Sequence, residues 1–151
     1  MPQTNLNWIV LLPLLAGIAV AFQTPINGQL RMLVSSPLLA ALISFLLGTL
    51  VLAILVLVTK QQFPASSHLS GSDWYKFTGG ILGAFFIVVM IVSVQRMSVA
   101  NLLALVIAGQ LITALLVDHF GLLGVKQSSI TVTRALGAIA LIIGTYLINK
   151  K

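Results

Sequence analysis

The side chains best suited to chemistry in this sequence are uncharged amides. Between Phe22 and Arg31 the chain reads Phe22-Gln23-Thr24-Pro25-Ile26-Asn27-Gly28-Gln29-Leu30-Arg31, where Gln23, Thr24, Asn27 and Gln29 crowd around a proline and a glycine. If the stretch is helical, Gln23, Asn27 and Arg31 follow one another at i, i+4 and i+8 and share a face. An amide offers donors and acceptors together, and it is costly to bury in hydrocarbon without partners. That face should therefore look at other protein or at a wet cavity. Pro25 withdraws one backbone donor and should kink the helix, freeing a carbonyl near Ala21. A kinked, polar helix end inside a membrane is a place where a small molecule can bind. The plainer alternative is a polar cap packed against a neighbouring helix.

Further along, Gln110 lies near the middle of an apolar run, with Thr113 about one turn on. Arg31 and Arg96 could draw an anionic group to a pathway mouth. Asp118 and His119 stand next to each other at the end of the same run. Histidine titrates near neutral pH, so the pair could relay a proton, or simply form a polar helix end. The expected substrate pathway is thus Gln23, Thr24, Pro25, Asn27, Gln110 and Thr113, with Arg31, Arg96, Asp118 and His119 at its mouths. Amides of this kind suit a small polar or zwitterionic solute.

Other chemistry is poorly supported. The chain has no cysteine, hence no disulfide framework and no thiolate metal site. It has no His/Glu pair at zinc spacing, no phosphate-cradling glycine loop and no nucleophile–base–acid trio. His68 is a loop histidine with no partner in view. No enzyme activity, metal or cofactor is expected. The eight basic residues are spread along the chain, which argues against nucleic-acid binding despite a net charge of +6.

The elements that must position these residues are hydrophobic spans. Of 151 residues, 59 % are hydrophobic and 7 % charged, with a mean hydropathy of +1.13. A soluble globule carries about 25 % charged residues, so this is read as an all-α integral membrane protein. Five apolar runs, at about 8–31, 37–59, 77–94, 99–117 and 132–148, make one five-helix transmembrane domain. Ala19-Val20-Ala21 looks like a cleavage site, but Met1 to Asn7 carries no Lys or Arg and no secreted domain follows, so the first run is expected to remain a span.

Local signals frame the other runs. Ser35-Ser36 can cap the second, with Pro37 in its first turn. Ala40, Ser44 and Gly48 form a small-residue stripe, as do Gly79 and Gly83, Ala100, Ala104 and Ala108, and Gly137, Ala140 and Gly144. The connection from Lys60 to Lys76, with Pro64, Ser66, Ser67, His68, Ser70, Gly71, Ser72 and Asp73, reads as a solvated loop, and Trp74-Tyr75 as an interfacial aromatic pair. The short turn Gln95 to Ser98 implies that the third and fourth helices are antiparallel neighbours. Asn101 lies about half a turn around the helix from Gln110, so the two amides should face different neighbours. Gly121 or Gly124 can cap the fourth run. Asp118 opposes the helix dipole there and wants a cation, Lys126 or Arg134. The fifth run is the shortest, with Lys150 and Lys151 anchoring its end.

Five spans place the chain ends on opposite sides of the membrane. One side then carries Lys60, Lys76, Lys126 and Arg134; the other carries Arg31, Arg96, Lys150 and Lys151. Orientation follows the difference in Lys and Arg between sides, and here the difference vanishes. Dual topology is the expectation: copies insert both ways and pair head to tail, giving a ten-helix unit of two inverted halves. The alternative is a single orientation fixed by the N-terminal amine or by a partner.

Several stretches together resemble one family. These are Gln23 to Leu30, Ser36-Pro37-Leu38-Leu39-Ala40-Ala41-Leu42-Ile43-Ser44-Phe45-Leu46-Leu47-Gly48-Thr49, Ala108-Gly109-Gln110-Leu111 and Asp118-His119-Phe120-Gly121. In order and spacing they are similar to the YdcZ-like branch of the bacterial drug/metabolite transporter superfamily, over nearly the whole chain. The resemblance implies a five-helix, multi-pass protein of the bacterial inner (cytoplasmic) membrane, from a family of single, paired or fused ten-helix proteins with antiparallel halves. Small multidrug transporters, a cousin group, use a membrane-embedded glutamate in the first helix. This chain has no Glu at all, and neither Asp lies inside an apolar run. The expected function is secondary transport of a small metabolite or drug-like solute by an antiparallel homodimer in the lipid bilayer. The rival expectation is a non-transporting membrane subunit or half of a heteromeric carrier.

Overall fold

The computed structural model describes residues 6–62 and 71–150. Met1 to Asn5, the loop residues Pro64, Ser66, Ser67, His68 and Ser70, and the Lys151 anchor lie outside the described residues. All secondary structure among the described residues is helical. The α-helices are α1 (Leu6–Val34), α2 (Pro37–Val58), α3 (Gly79–Ser93), α4 (Val99–Phe120) and α5 (Val132–Asn149). Among the described residues, five stretches are long and apolar enough to cross a membrane: Leu11–Val34, Pro37–Val58, Trp74–Ser93, Val99–Phe120 and Val132–Asn149. The helices gather into two compact units, residues 1–96 and 97–151.

In the first unit, α1 runs unbroken through Pro13 and Pro25. After Ser35, whose backbone is left-handed at φ 54°, Ser36 starts α2 as expected. Its hydroxyl accepts from Leu39 N at 3.3 Å, and Pro37 follows where no donor is needed. At the other end of α2, Lys60 N donates to Leu57 O and Gln61 N to Val56 O, a closure in which Lys60 takes the left-handed position usually given to glycine. Part of the expected solvated loop is helical: Gly71–Thr78 form a 3₁₀ helix, with the Thr78 hydroxyl turned back onto Tyr75 O at 2.6 Å. The α-helical part of the third span is thereby cut to 15 residues, while of the five membrane-length stretches Val132–Asn149, at 18 residues, is the shortest, as expected. Trp74 and Tyr75 are exposed, as an interfacial pair should be.

The core of this unit is small. Ala40 and Ala41 of α2 meet Ile87 and Ile91 of α3, flanked by Leu30, Val34 and Val88. It sits where α1 and α3 end and α2 begins. Gly28 decides how closely α1 and α3 approach: a Cβ there would stand 2.9 Å from Val94 Cγ1 and 3.0 Å from Gln95 Nε2. The Gln95 amide donates to Gly28 O at 3.3 Å across the same contact. The small-residue stripes are used only in part. Ala40 is fully buried and Gly83 faces the Phe45 ring, but nothing stands near Gly48 or Gly79.

The second unit is the antiparallel pair α4–α5. Ser98 caps α4 by accepting from Asn101 N, and Thr131 caps α5 by accepting from Arg134 N. Ala104 is buried at their contact, and the buried Thr145 hydroxyl donates to its carbonyl at 3.2 Å. The Asn149 amide donates to Thr145 O at 2.9 Å and reaches Asn101 O at 3.5 Å. The packing face of α5 thus passes through Thr145 and Asn149. Gly137, Ala140 and Gly144 lie beside it, and nothing among the described residues comes near either glycine, so the expected packing stripe is unused within this unit.

The α4–α5 turn is latched by polar contacts. Gly121, at φ 61°, caps α4, as one of the two candidate glycines. Of the two cations considered for Asp118, Arg134 is the partner. Arg134 Nη1 also donates to Ser128 O and Ser128 Oγ, both at 2.9 Å. Ser128 N donates to Asp118 O, Gln127 Nε2 to His119 O, and Ile130 N to His119 Nδ1. A negative charge at the end of α4 and a positive one at the start of α5 each oppose their own helix dipole. Side by side in an antiparallel pair, each complements the other helix instead.

Two outcomes follow from this packing. Gly28→Ala should destabilise the fold by about 1–3 kcal/mol through overpacking, whereas Gly48→Ala should be neutral or slightly stabilising; thermal unfolding in detergent compares them. The Asp118–Arg134 side chains are each about one third exposed, so Arg134→Met should cost at most about 1 kcal/mol globally. It should nevertheless speed amide hydrogen exchange at Ser128 and Ile130, which unchanged exchange would contradict.

Candidate functional site

The polar stretch of α1 opens onto cavities. Thr24 and Asn27 are buried, at 4 % and 6 % relative exposure, on a helix otherwise poor in buried residues. The Thr24 hydroxyl donates to Val20 O at 2.9 Å, one turn back, and leaves its lone pairs available. The Asn27 side-chain amide has no hydrogen-bond partner among the described residues, yet it is not sealed from solvent-sized space. It borders a cavity of about 140 Å³ whose walls are Val20, Gln23 and Thr24 of α1, Phe45 of α2, and Gly83, Phe86, Ile87 and Met90 of α3. Gln23 lies one turn before Asn27 on the same side of α1. It also borders a groove of about 350 Å³ with Asn27, Ser44 and Leu47, and another of about 230 Å³ with Ser44, Phe45, Thr49 and Leu52. All three spaces therefore adjoin Gln23, and none of them has a charged side chain in its lining.

The sequence-predicted residues divide by unit. Gln23, Thr24 and Asn27 come together at one cavity in the first unit, while Pro25, half-buried, sits behind them in α1. Arg31 is half-buried and Arg96 exposed; neither lines these cavities. Gln110 and Thr113 belong to the second unit, where both are exposed on α4, and Asn101, half-buried on the same helix, accepts from Asn149 of α5 through its backbone carbonyl. Asp118 and His119 are committed to the α4–α5 latch. His119 Nδ1 accepts the Ile130 N–H at 3.3 Å.

Several lining residues carry no signal by residue type. Phe45, Phe86 and Met90 read as ordinary apolar positions, and Ser44 as part of a packing stripe. Helical spacing was the available clue: Phe45, Thr49 and Leu52 share one stripe of α2, and Gly83, Phe86, Ile87 and Met90 one stripe of α3. Thr145, Asn149 and Gln95 carry no such signal either. They bind backbone carbonyls of other helices, which no sequence spacing reveals.

Comparison with known proteins bears on this arrangement. The family model described as "Putative inner membrane exporter, YdcZ" matches residues 8–147. The chain is 31 % identical over 137 residues to the inner membrane protein YdcZ of Escherichia coli (strain K12), covering 90 % of this chain and 91 % of that protein. No solved structure matches it. With five membrane-length helices and a match over almost all of its length, this chain belongs to the YdcZ family of multi-pass inner membrane proteins.

Proposed function

We propose that this protein is a secondary transporter of a small metabolite or drug-like solute, working by alternating access as an antiparallel homodimer. The observation that carries the reading is the amide of Asn27, a buried residue of a membrane-length helix, which has no hydrogen-bond partner among the described residues and is open to a cavity shared with Gln23 and Thr24. A bare amide at that depth is costly unless it serves a solute or a wet path. The family's description as an inner membrane exporter supports transport as the general activity.

Pairing of two copies rests on two further supports. Basic residues balance at four on each side, so nothing in the Lys and Arg distribution selects an orientation. Gln110 and Thr113, in the middle of α4, are exposed in the single chain, as is most of every span. A second copy would cover such polar positions better than lipid does. In an inverted pair Arg31 and Arg96 recur at both mouths, and the two access states become equivalent shapes. The uncovered Gly137–Ala140–Gly144 stripe favours a second reading, in which the chain is a subunit or half of a heteromeric carrier.

Tags on both termini, probed for accessibility in intact cells, should report each terminus on both sides of the membrane. One fixed orientation, with no partner protein present, would remove the homodimer. In proteoliposomes, Gln23→Leu, Asn27→Leu and Gln110→Leu should each lower flux about tenfold while leaving assembly intact, the loss of about one hydrogen bond to the solute. Normal flux from all three would show that the path runs elsewhere.

A further inference from the structure

The lining of the Asn27 cavity limits what it can hold, and this step rests on the reading of that cavity as a solute site. Its polar groups are two amides and a hydroxyl: Gln23, Thr24 and Asn27. The Thr24 proton is already given to Val20 O, so the free donors are amide N–H groups. The opposite walls are Phe45, Phe86, Ile87 and Met90. No side chain of either sign lines this cavity or the two spaces joined to it through Gln23. An ion placed here would give up part of its hydration and meet no counter-charge in the lining, a penalty that neutral amide hydrogen bonds offset only in part. Size is the third constraint. The cavity measures about 140 Å³, and an apolar protein cavity of about 150 Å³ accommodates a single benzene ring.

From these features we infer that the Asn27 cavity selects an uncharged solute with one flat apolar ring and one amide, carbonyl or hydroxyl end. The ring packs between Phe45 and Phe86, against the Met90 side. The polar end meets Asn27 and Gln23, which together supply a donor and an acceptor. Carboxylates, ammonium ions and zwitterions of the same shape are rejected through desolvation and not through size. This narrows the solute class: the wider set of polar or zwitterionic solutes admitted by the amides alone is cut to its neutral members.

The test is binding of benzamide, benzoate and benzylammonium to the purified full-length protein in nanodiscs, by saturation-transfer NMR with titration. Empty nanodiscs of the same lipid serve to subtract partitioning into lipid. Benzamide should bind at least tenfold more tightly than either ion, and Asn27→Leu should remove most of that difference. Asn27→Asp, which keeps the shape and adds a carboxylate, should raise benzylammonium affinity at least tenfold at neutral pH. Thermal unfolding checks that both variants are folded.

Equal binding of the three probes would overturn the inference, as would benzamide binding indifferent to both variants, or no saturable binding of any probe. Transport is measured separately. A protein that carries solutes but binds ions as well as benzamide retains the transporter reading and loses this one. Selective benzamide binding without flux of any solute does the reverse.

Discussion

The close approach of α1 to α3 at Gly28 is the contact on which the first unit depends. With no Cβ at that position, Val94 can lie against the α1 backbone, and Gln95 can hydrogen-bond the Gly28 carbonyl. The helix ends are thereby drawn together over a core of only a few small and medium residues, Ala40, Ala41, Ile87 and Ile91. Toward the other end of the helices the side chains change from alanine and isoleucine to phenylalanine and glutamine, and the same helices enclose a cavity. Tight packing at one end and open space farther along are two results of one local geometry. A bulky residue at position 28 would splay the helices and disturb the cavity and the core together.

The second unit is held by a different kind of force. Its apolar contact is modest, and much of its definition comes from hydrogen bonds that cross from α5 to α4 backbone carbonyls, through Thr145 and Asn149. Away from water such bonds have few competitors, although the gain in membranes is modest for each one. The Asp118–Arg134 latch adds electrostatic matching at the turn, where each charge neutralises a helix end that is not its own. Three residues beyond the apolar run, Asp118 to Phe120, stay helical until Gly121 turns the chain.

Much of this was legible before any coordinates. Run length and hydropathy locate the five spans, since a helix must satisfy its own backbone in lipid and so cannot be short or polar. The Ser36-Pro37 start and the Gly121 stop follow from backbone chemistry that those residues alone supply. The choice of Thr24 and Asn27 as unusual residues is likewise visible, because an amide in an apolar run is costly wherever it points. What was not legible is what lies opposite them. Phe45 and Phe86 differ from their neighbours only in where the helices place them. The 3₁₀ turn before α3 depends on the Thr78 hydroxyl and the Gly79-Gly80 pair, whose weak helix preference leaves the local geometry to tertiary context. The glycine stripes misled for a related reason: smallness permits contact, but a neighbour must be present to make it.

Gln23 occupies a junction. It is a long side chain with three rotatable bonds before its amide, exposed, and it borders three adjoining spaces. Turning such a side chain takes picoseconds to nanoseconds, while the rocking of packed helices takes microseconds to milliseconds. The boundary that this side chain forms between the three spaces is therefore set by a latchkey of a few atoms, whose rearrangement equilibrates long before the packed helices shift.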